Sequence, residues 1–149
     1  LECLFTAADH DYKILVEEYI KGREIESAAF GNLDVFVAEP GEIVSAKEFY
    51  DFEAKYKIES KIDIPAKLKP EILEKVKENA KKLFEGIGLS GLSRIDFFVT
   101  ENEEVYINEI NTLPGFTDIS MYPKMMEHSG MKQSDLVYNL VSYLPIQLL

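Results

Sequence analysis

A chain of 149 residues with 46% apolar and 29% charged side chains has enough material for one hydrophobic core, and no apolar run approaches the length of a membrane span. Its formal charge of -11 argues against nucleic acid or an anionic membrane as a partner, since both need a basic face, but leaves room for a nucleotide held by a few local contacts. The lone Cys3 excludes an internal disulfide, is compatible with a reducing compartment, and is expected to be a small buried apolar residue.

In chain order, Leu1, Leu4, Phe5 and Ala8 read as the end of a helix. A chain that opens inside such a pattern, without a basic signal segment, is expected to be a piece of something longer. Lys13 to Lys21, rich in Ile, Val and Tyr, reads as a strand broken by Gly22. Further strands are expected over Ile25 to Phe30, ending at a Gly31-Asn32 turn, over Val35 to Ala38, meeting Pro40-Gly41, and over Ile43 to Ala46. Together they make an antiparallel meander. Lys47 to Lys69 has no sustained period and reads as a long loop.

Pro70 to Phe84 is predicted as a helix, because Ile72, Leu73, Val76, Ala80, Leu83, Phe84 and Ile87 share one face, Pro70 suits the first turn, and Gly86 and Gly88 end it. After Gly91, two apolar runs flank the turn-like Thr100 to Glu104 and read as a hairpin. A short helix follows over Met121 to His128, stopped by Gly130. A last helix is capped by Ser134, carries Leu136, Val137, Leu140, Val141 and Leu144 inward, and ends at Pro145. Helices on one face of an antiparallel sheet make an α+β domain, and residues 1–149 read as a single one.

The hairpin concentrates the chemistry. Glu109 and Asn111 are two apart and share a strand face; pairing Val99 with Val105 or its neighbour brings Asp96 opposite or diagonal to Glu109. Oxygen donors of this kind suit Mg²⁺ or Mn²⁺, which complete their shells with water and phosphate oxygens. Arg94 shares the face of Asp96 and is placed to hold an anionic oxygen. The same pattern also describes the solvated side of a half-buried sheet.

Three other stretches have two readings each. Leu15 to Glu24 could offer strand-edge backbone to an adenine and Glu24 to ribose hydroxyls, or be exposed strand acids. Glu48 to Tyr56 is either one apolar helix face or a lid, whose Lys55 neutralises phosphate charge and whose Tyr56 shapes a pocket. In Asn111 to Pro123, Gly115 lets a ligand approach the backbone, and Ser120 is a helix N-cap or the start of a carboxylate site. Met121, Met125 and Met126 fit core packing.

In order, VEEYIKGRE, FYDFEAKY, GLSRIDFFV and INEINTLPGFTDISMYP resemble the C-terminal half of the D-alanine-D-alanine ligases, a branch of the ATP-grasp superfamily. The resemblance implies an α+β ATP-grasp C-terminal domain with ATP as co-substrate and two Mg²⁺ or Mn²⁺ ions held by Asp96, Glu109 and Asn111. It places adenine against Glu17, Glu18, Tyr19 and Ile20, ribose on Glu24, and Lys55 before the phosphates. Arg94 and the Gly115 amide would stabilise an oxyanion, and Ser120, with Met121 beside it, would position the acceptor carboxylate. The implied reaction activates one D-alanine as an acyl phosphate and joins it to a second for peptidoglycan. A close variant takes D-serine, and the EAKY loop with Tyr56 leans towards an amine acceptor. The complete protein is expected to be a cytoplasmic homodimer with no nucleic-acid or membrane partner. The family's N-terminal substrate domain and upstream lid lysines are not in these 149 residues, so the piece is expected to bind Mg-nucleotide weakly and not to turn over alone. A non-catalytic fragment that binds nucleotide or a partner is the alternative.

Overall fold

The structure, a computed structural model, describes residues 2–44 and 61–142. A short helix α1 (Glu2–Ala8) precedes four strands, β1 (Arg23–Gly31), β2 (Val35–Val37), β3 (Gly41–Val44) and β4 (Lys61–Asp63). Helix α2 (Pro70–Gly86) leads into the hairpin of β5 (Gly91–Val99) and β6 (Val105–Asn111), and α3 (Met121–His128) and α4 (Gln133–Ser142) follow.

All six strands belong to one sheet, ordered β4-β3-β1-β5-β6, with β2 also paired to β1. Strand β1 is its axis. One edge pairs antiparallel with β5 from Arg23↔Val99 to Gly31↔Gly91; the other is shared, Glu24 to Glu26 with β3 and Ala29 to Gly31 with β2. Gly31 makes the β1–β2 turn possible, because a Cβ there would lie 2.1 Å from the Asp34 carbonyl oxygen.

Strand alternation divides the apolar residues into two cores. Ile25, Ala29, Ile95, Phe97 and Val99 face α2, whose Ile72, Val76, Ala80 and Phe84 are buried against them. Ala28 and Phe30 face the other way, against Met121, Tyr122, Met125 and Met126 of α3 and Leu136 of α4. Helices therefore lie on both faces, where one had been expected, and on the second face α3 and α4 pack against the apolar side chains. Fully burying one such Leu, Ile, Phe or Met contributes about 1.5–3 kcal/mol, so each helix docks where its apolar stripe finds a matching sheet surface.

Several expectations are corrected. Lys13 to Lys21 forms no strand: Leu15 and Val16 are 81% and 75% exposed. β-branched residues favour a pleated, half-buried surface, and no strand lies beside these among the described residues. The expected loop over Lys47 to Lys69 contains β4 and the start of the turn into α2, while its residues 47–60 lie outside the described residues, as do Ser45 and Ala46 of the expected fourth strand. Ser134 sits inside α4 instead of capping it, and Val137 and Val141 point outward; only Leu136 is buried, with Leu140 packed at the margin. Cys3 is exposed.

Candidate functional site

The part of the second face beyond the α3 contacts carries the candidate site, and its Glu26 and Asp96 are buried as well. Alternation puts Glu24 and Glu26 of β1 and Arg94 and Asp96 of β5 on the same side as Ala28 and Phe30, beyond the reach of α3. Strand β6 completes it through an irregularity. Val105 pairs with Val99 and Ile107 with Phe97, but Glu109 pairs with Asp96 and Asn111 with Arg94, so Asn108 is an extra residue opposite no partner. A regular ladder from Val105 would have set Asn108 against Asp96 and turned Glu109 towards α2. The bulge instead brings Glu109 out beside Asp96 and sends Ile110 to the first core, a use of bulges common next to functional sites.

Arg94 lies at the centre of this patch. Its Nε donates to Asp96 Oδ1 at 2.8 Å and its Nη2 to Asp96 Oδ2 at 2.7 Å, a two-pronged pair. Glu26 Oε2 is 3.3 Å from the Arg94 Nε and Glu109 Oε1 is 3.7 Å from its Nη2. Burial works against the guanidinium charge, but the Asp96 hydrogen bonds and the charges of Glu26, Asp96 and Glu109 overcome it and raise its pKa above the ordinary arginine value. Among the described residues, Glu26, Asp96 and Glu109 share the one cation Arg94, and a cluster rich in negative charge suits a divalent ion. Asn111 adds a neutral oxygen, which accepts from the Leu113 N–H at 3.0 Å. Hard oxygen donors in this register fit Mg²⁺ or Mn²⁺ in type. In the side-chain arrangement seen, no three His, Cys, Asp or Glu among the described residues are set to hold an ion by themselves, and the Arg94 guanidinium lies within 4 Å of all three acids.

A cavity of about 40 Å³ beside this cluster is lined by Glu24, Glu26, Asp96 and Asn108 with Ile25 and Phe97. A larger groove of about 470 Å³ between α2 and the edge strand β6, lined by Asn79, Lys82, Leu83, Val105, Tyr106 and Ile107, contains none of these acids. Glu17, Glu18, Tyr19 and Ile20 lie on the irregular segment before β1, which meets the β5–β6 hairpin at its turn end. The Tyr106 phenol is raised first by the charge of Glu104 and in part by that of Glu18, and Lys21 approaches Glu101 at 3.9 Å.

The acceptor-side residues form a second group. A Cβ on Gly115 would sit 2.9 Å from Ser120 Oγ, so the two positions are in contact. Ser120 occupies the N-cap position of α3, but its hydroxyl makes no cap; it accepts from the Thr117 N–H at 3.0 Å and lies 2.8 Å from Thr117 Oγ1. The Met121 side chain is buried in the second core, so what it offers an anion is the N–H of a first helical turn. Lys55 and Tyr56 lie outside the described residues. Glu26 and Asn108 were not singled out in the sequence, since the first enters only through β1–β5 pairing and the second only through the bulge.

The family model described as D-ala D-ala ligase C-terminus matches residues 2–142. The chain belongs to that family. It is 51% identical over 143 residues to a D-alanine--D-alanine ligase of Acetivibrio thermocellus, covering 94% of this chain and 38% of the relative. A Clostridium novyi D-alanine--D-alanine ligase is 53% identical over 137 residues, covering 91% and 40%. Among solved structures, the VanG D-Ala:D-Ser ligase of Enterococcus faecalis superposes with a TM-score of 0.83 at 36% identity, covering 95% of this chain and 41% of that one. The D-alanine-D-alanine ligase C-terminal portion is therefore the fold seen here, and the chain spans about two fifths of the length of the curated relatives it matches. No helix among the described residues is long and apolar enough to cross a membrane.

Proposed function

We propose that this chain is the metal-binding and nucleotide-binding portion of an ATP-dependent ligase that joins two D-alanines through an acyl phosphate for peptidoglycan. The observation that carries this reading is the register Asp96↔Glu109 and Arg94↔Asn111 on one sheet face, with Arg94 between the carboxylates. Asp96, Glu109 and Asn111 would hold two Mg²⁺ or Mn²⁺ ions. Bound there, the ions neutralise the charge of the transferring phosphoryl group.

The chain's own residues position and exclude. Glu17 to Ile20 line the adenine, mainly through backbone, and Glu24 receives ribose hydroxyls; by the family resemblance Lys55 would neutralise phosphate charge and Tyr56 would shape the substrate pocket, both lying outside the described residues. Arg94 and the Gly115 N–H meet the oxyanion that forms when the second amino acid's amine attacks the acyl phosphate. Ser120 and the first N–H groups of α3 hold that amino acid's carboxylate, where free amides and the helix dipole favour an anion. Positioning and charge neutralisation suffice for this chemistry, and no covalent nucleophile is called for. The likeness to a D-Ala:D-Ser ligase makes D-serine a second acceptor to test.

Thermal unfolding in the presence of Mg²⁺ and ADP tests the site. A hundredfold excess over Kd stabilises by about 2.7 kcal/mol. The expected outcome is a shift that needs both metal and nucleotide and is lost in Asp96→Ala and in Glu109→Ala. Glu109 is largely exposed, so its substitution leaves the fold intact. A shift that survives both substitutions would count against the site.

A further inference from the structure

We propose that Glu26 is a positioning residue, a second seat for the Arg94 guanidinium that releases the Asp96 carboxylate to a divalent cation. The inference rests on the metal reading above and names a residue that reading does not use. The fork of Arg94 takes both Asp96 oxygens, at 2.8 and 2.7 Å, and a carboxylate held in this way must turn or share an oxygen before it can bind an ion. The displaced guanidinium needs another anion, because Arg94 is itself mostly buried, with a side-chain exposure of 17%. Glu109 is a poor seat: it lies farther away, at 3.7 Å, and is itself a metal ligand in this reading. Glu26 is the neighbour that fits. It pairs with Asp96 across β1 and β5, its side chain is 7% exposed, and its Oε2 is already 3.3 Å from the Arg94 Nε.

A rotation of the guanidinium from Asp96 towards Glu26 keeps Arg94 paired while opening Asp96 to the ion. Without the Glu26 charge, Arg94 stays on Asp96 and competes with the metal. Glu26 thus acts on the metal through Arg94, and this indirectness can be measured.

The test is a double-mutant cycle on Mn²⁺ binding, with bound and free Mn²⁺ separated by electron paramagnetic resonance and no turnover required. With Arg94 present, Glu26→Gln is expected to weaken Mn²⁺ at least tenfold, and Glu26→Asp, which keeps the charge, to recover most of the loss. In an Arg94→Met background the same Glu26→Gln change should alter affinity less than twofold, because no guanidinium competes. Arg94→Lys is a second background, since an ammonium cannot bridge both Asp96 oxygens; there the loss should fall below threefold. An equal loss in all backgrounds would overturn the proposal by making Glu26 a ligand or a simple field charge, and no loss in any would overturn it as well. Failure of the unaltered protein to bind Mn²⁺ would instead sink the metal reading, and the proposal with it.

Discussion

Tyr122 shows how much can rest on one buried polar atom. Its ring fills the second core and its hydroxyl donates to the Ala29 carbonyl at 2.9 Å, fastening α3 to β1. Burial pushes the phenol well above its usual range, so the folded state keeps this proton more tightly than the unfolded chain does. The contribution is complete below the unfolded pKa of about 10 and is lost as pH rises above it, at about 1.4 kcal/mol per pH unit. Tyr122→Phe, which keeps the ring, is expected to cost about 1 kcal/mol at pH 8 by urea denaturation. Above pH 10 that gap should close and then reverse, because the phenylalanine variant has no proton to lose; a gap independent of pH would contradict the assignment. Single residues were unevenly legible. Arg94 and Asp96 are two apart on a strand and had to share a face, so their contact follows from spacing. Glu26 joins them only through a pairing of distant strands, which local pattern does not specify. For Met121 the two readings of a methionine beside Ser120 pulled apart, and the side chain follows the apolar one into the core.

Among the elements, α2 was the easiest to read, since its apolar period and Pro70 start agree with each other and with the observed Pro70–Gly86 span. The segment from Lys13 to Lys21 misled, because the residues that favour a strand do so by packing on neighbours that the described chain does not place there. The bulge in β6 was invisible for another reason: Ile107, Asn108, Glu109 and Ile110 fit no single alternation, and only the fixed partners on β5 decide which residue is extra. Deleting Asn108 gives a direct test. The ladder then becomes regular from Val105 to Asn111 with Glu109 still opposite Asp96, so the fold should survive with a melting temperature changed by no more than about 3 °C, equivalent to about 1 kcal/mol for a domain of this size. The Mg²⁺- and ADP-dependent thermal shift should shrink by at least half, because the bulge sets the aim of Glu109 and supplies a wall of the cavity shared by Glu24, Glu26 and Asp96. A full shift in the deletion variant would mean that the bulge contributes nothing to the site.

For the whole molecule, the sheet's second face is divided between tasks. Its apolar half is sealed by α3 and α4, with Gly115 and Ser120 in contact at the start of α3, while its charged half gathers Glu26, Asp96 and Glu109 around Arg94. The segment leading into β1 leaves Tyr12, Leu15, Val16 and Tyr19 exposed and meets the β5–β6 hairpin at its turn, through Lys21 and Glu101. If this stretch lines a nucleotide, as proposed, the bound ligand covers side chains that the free protein leaves exposed. Hydrogen exchange can see this in one experiment. In the free protein, amides of residues 14–20 should exchange far faster than those of β1 and β5, whose pairing spans the centre of the sheet. Adding Mg²⁺ and ADP should slow exchange in residues 17–20 and in β6 together, because one ligand would bridge the adenine strip and the metal face. Protection confined to β6 would leave a metal site without an adenine strip, and protection of neither would remove the nucleotide from this face.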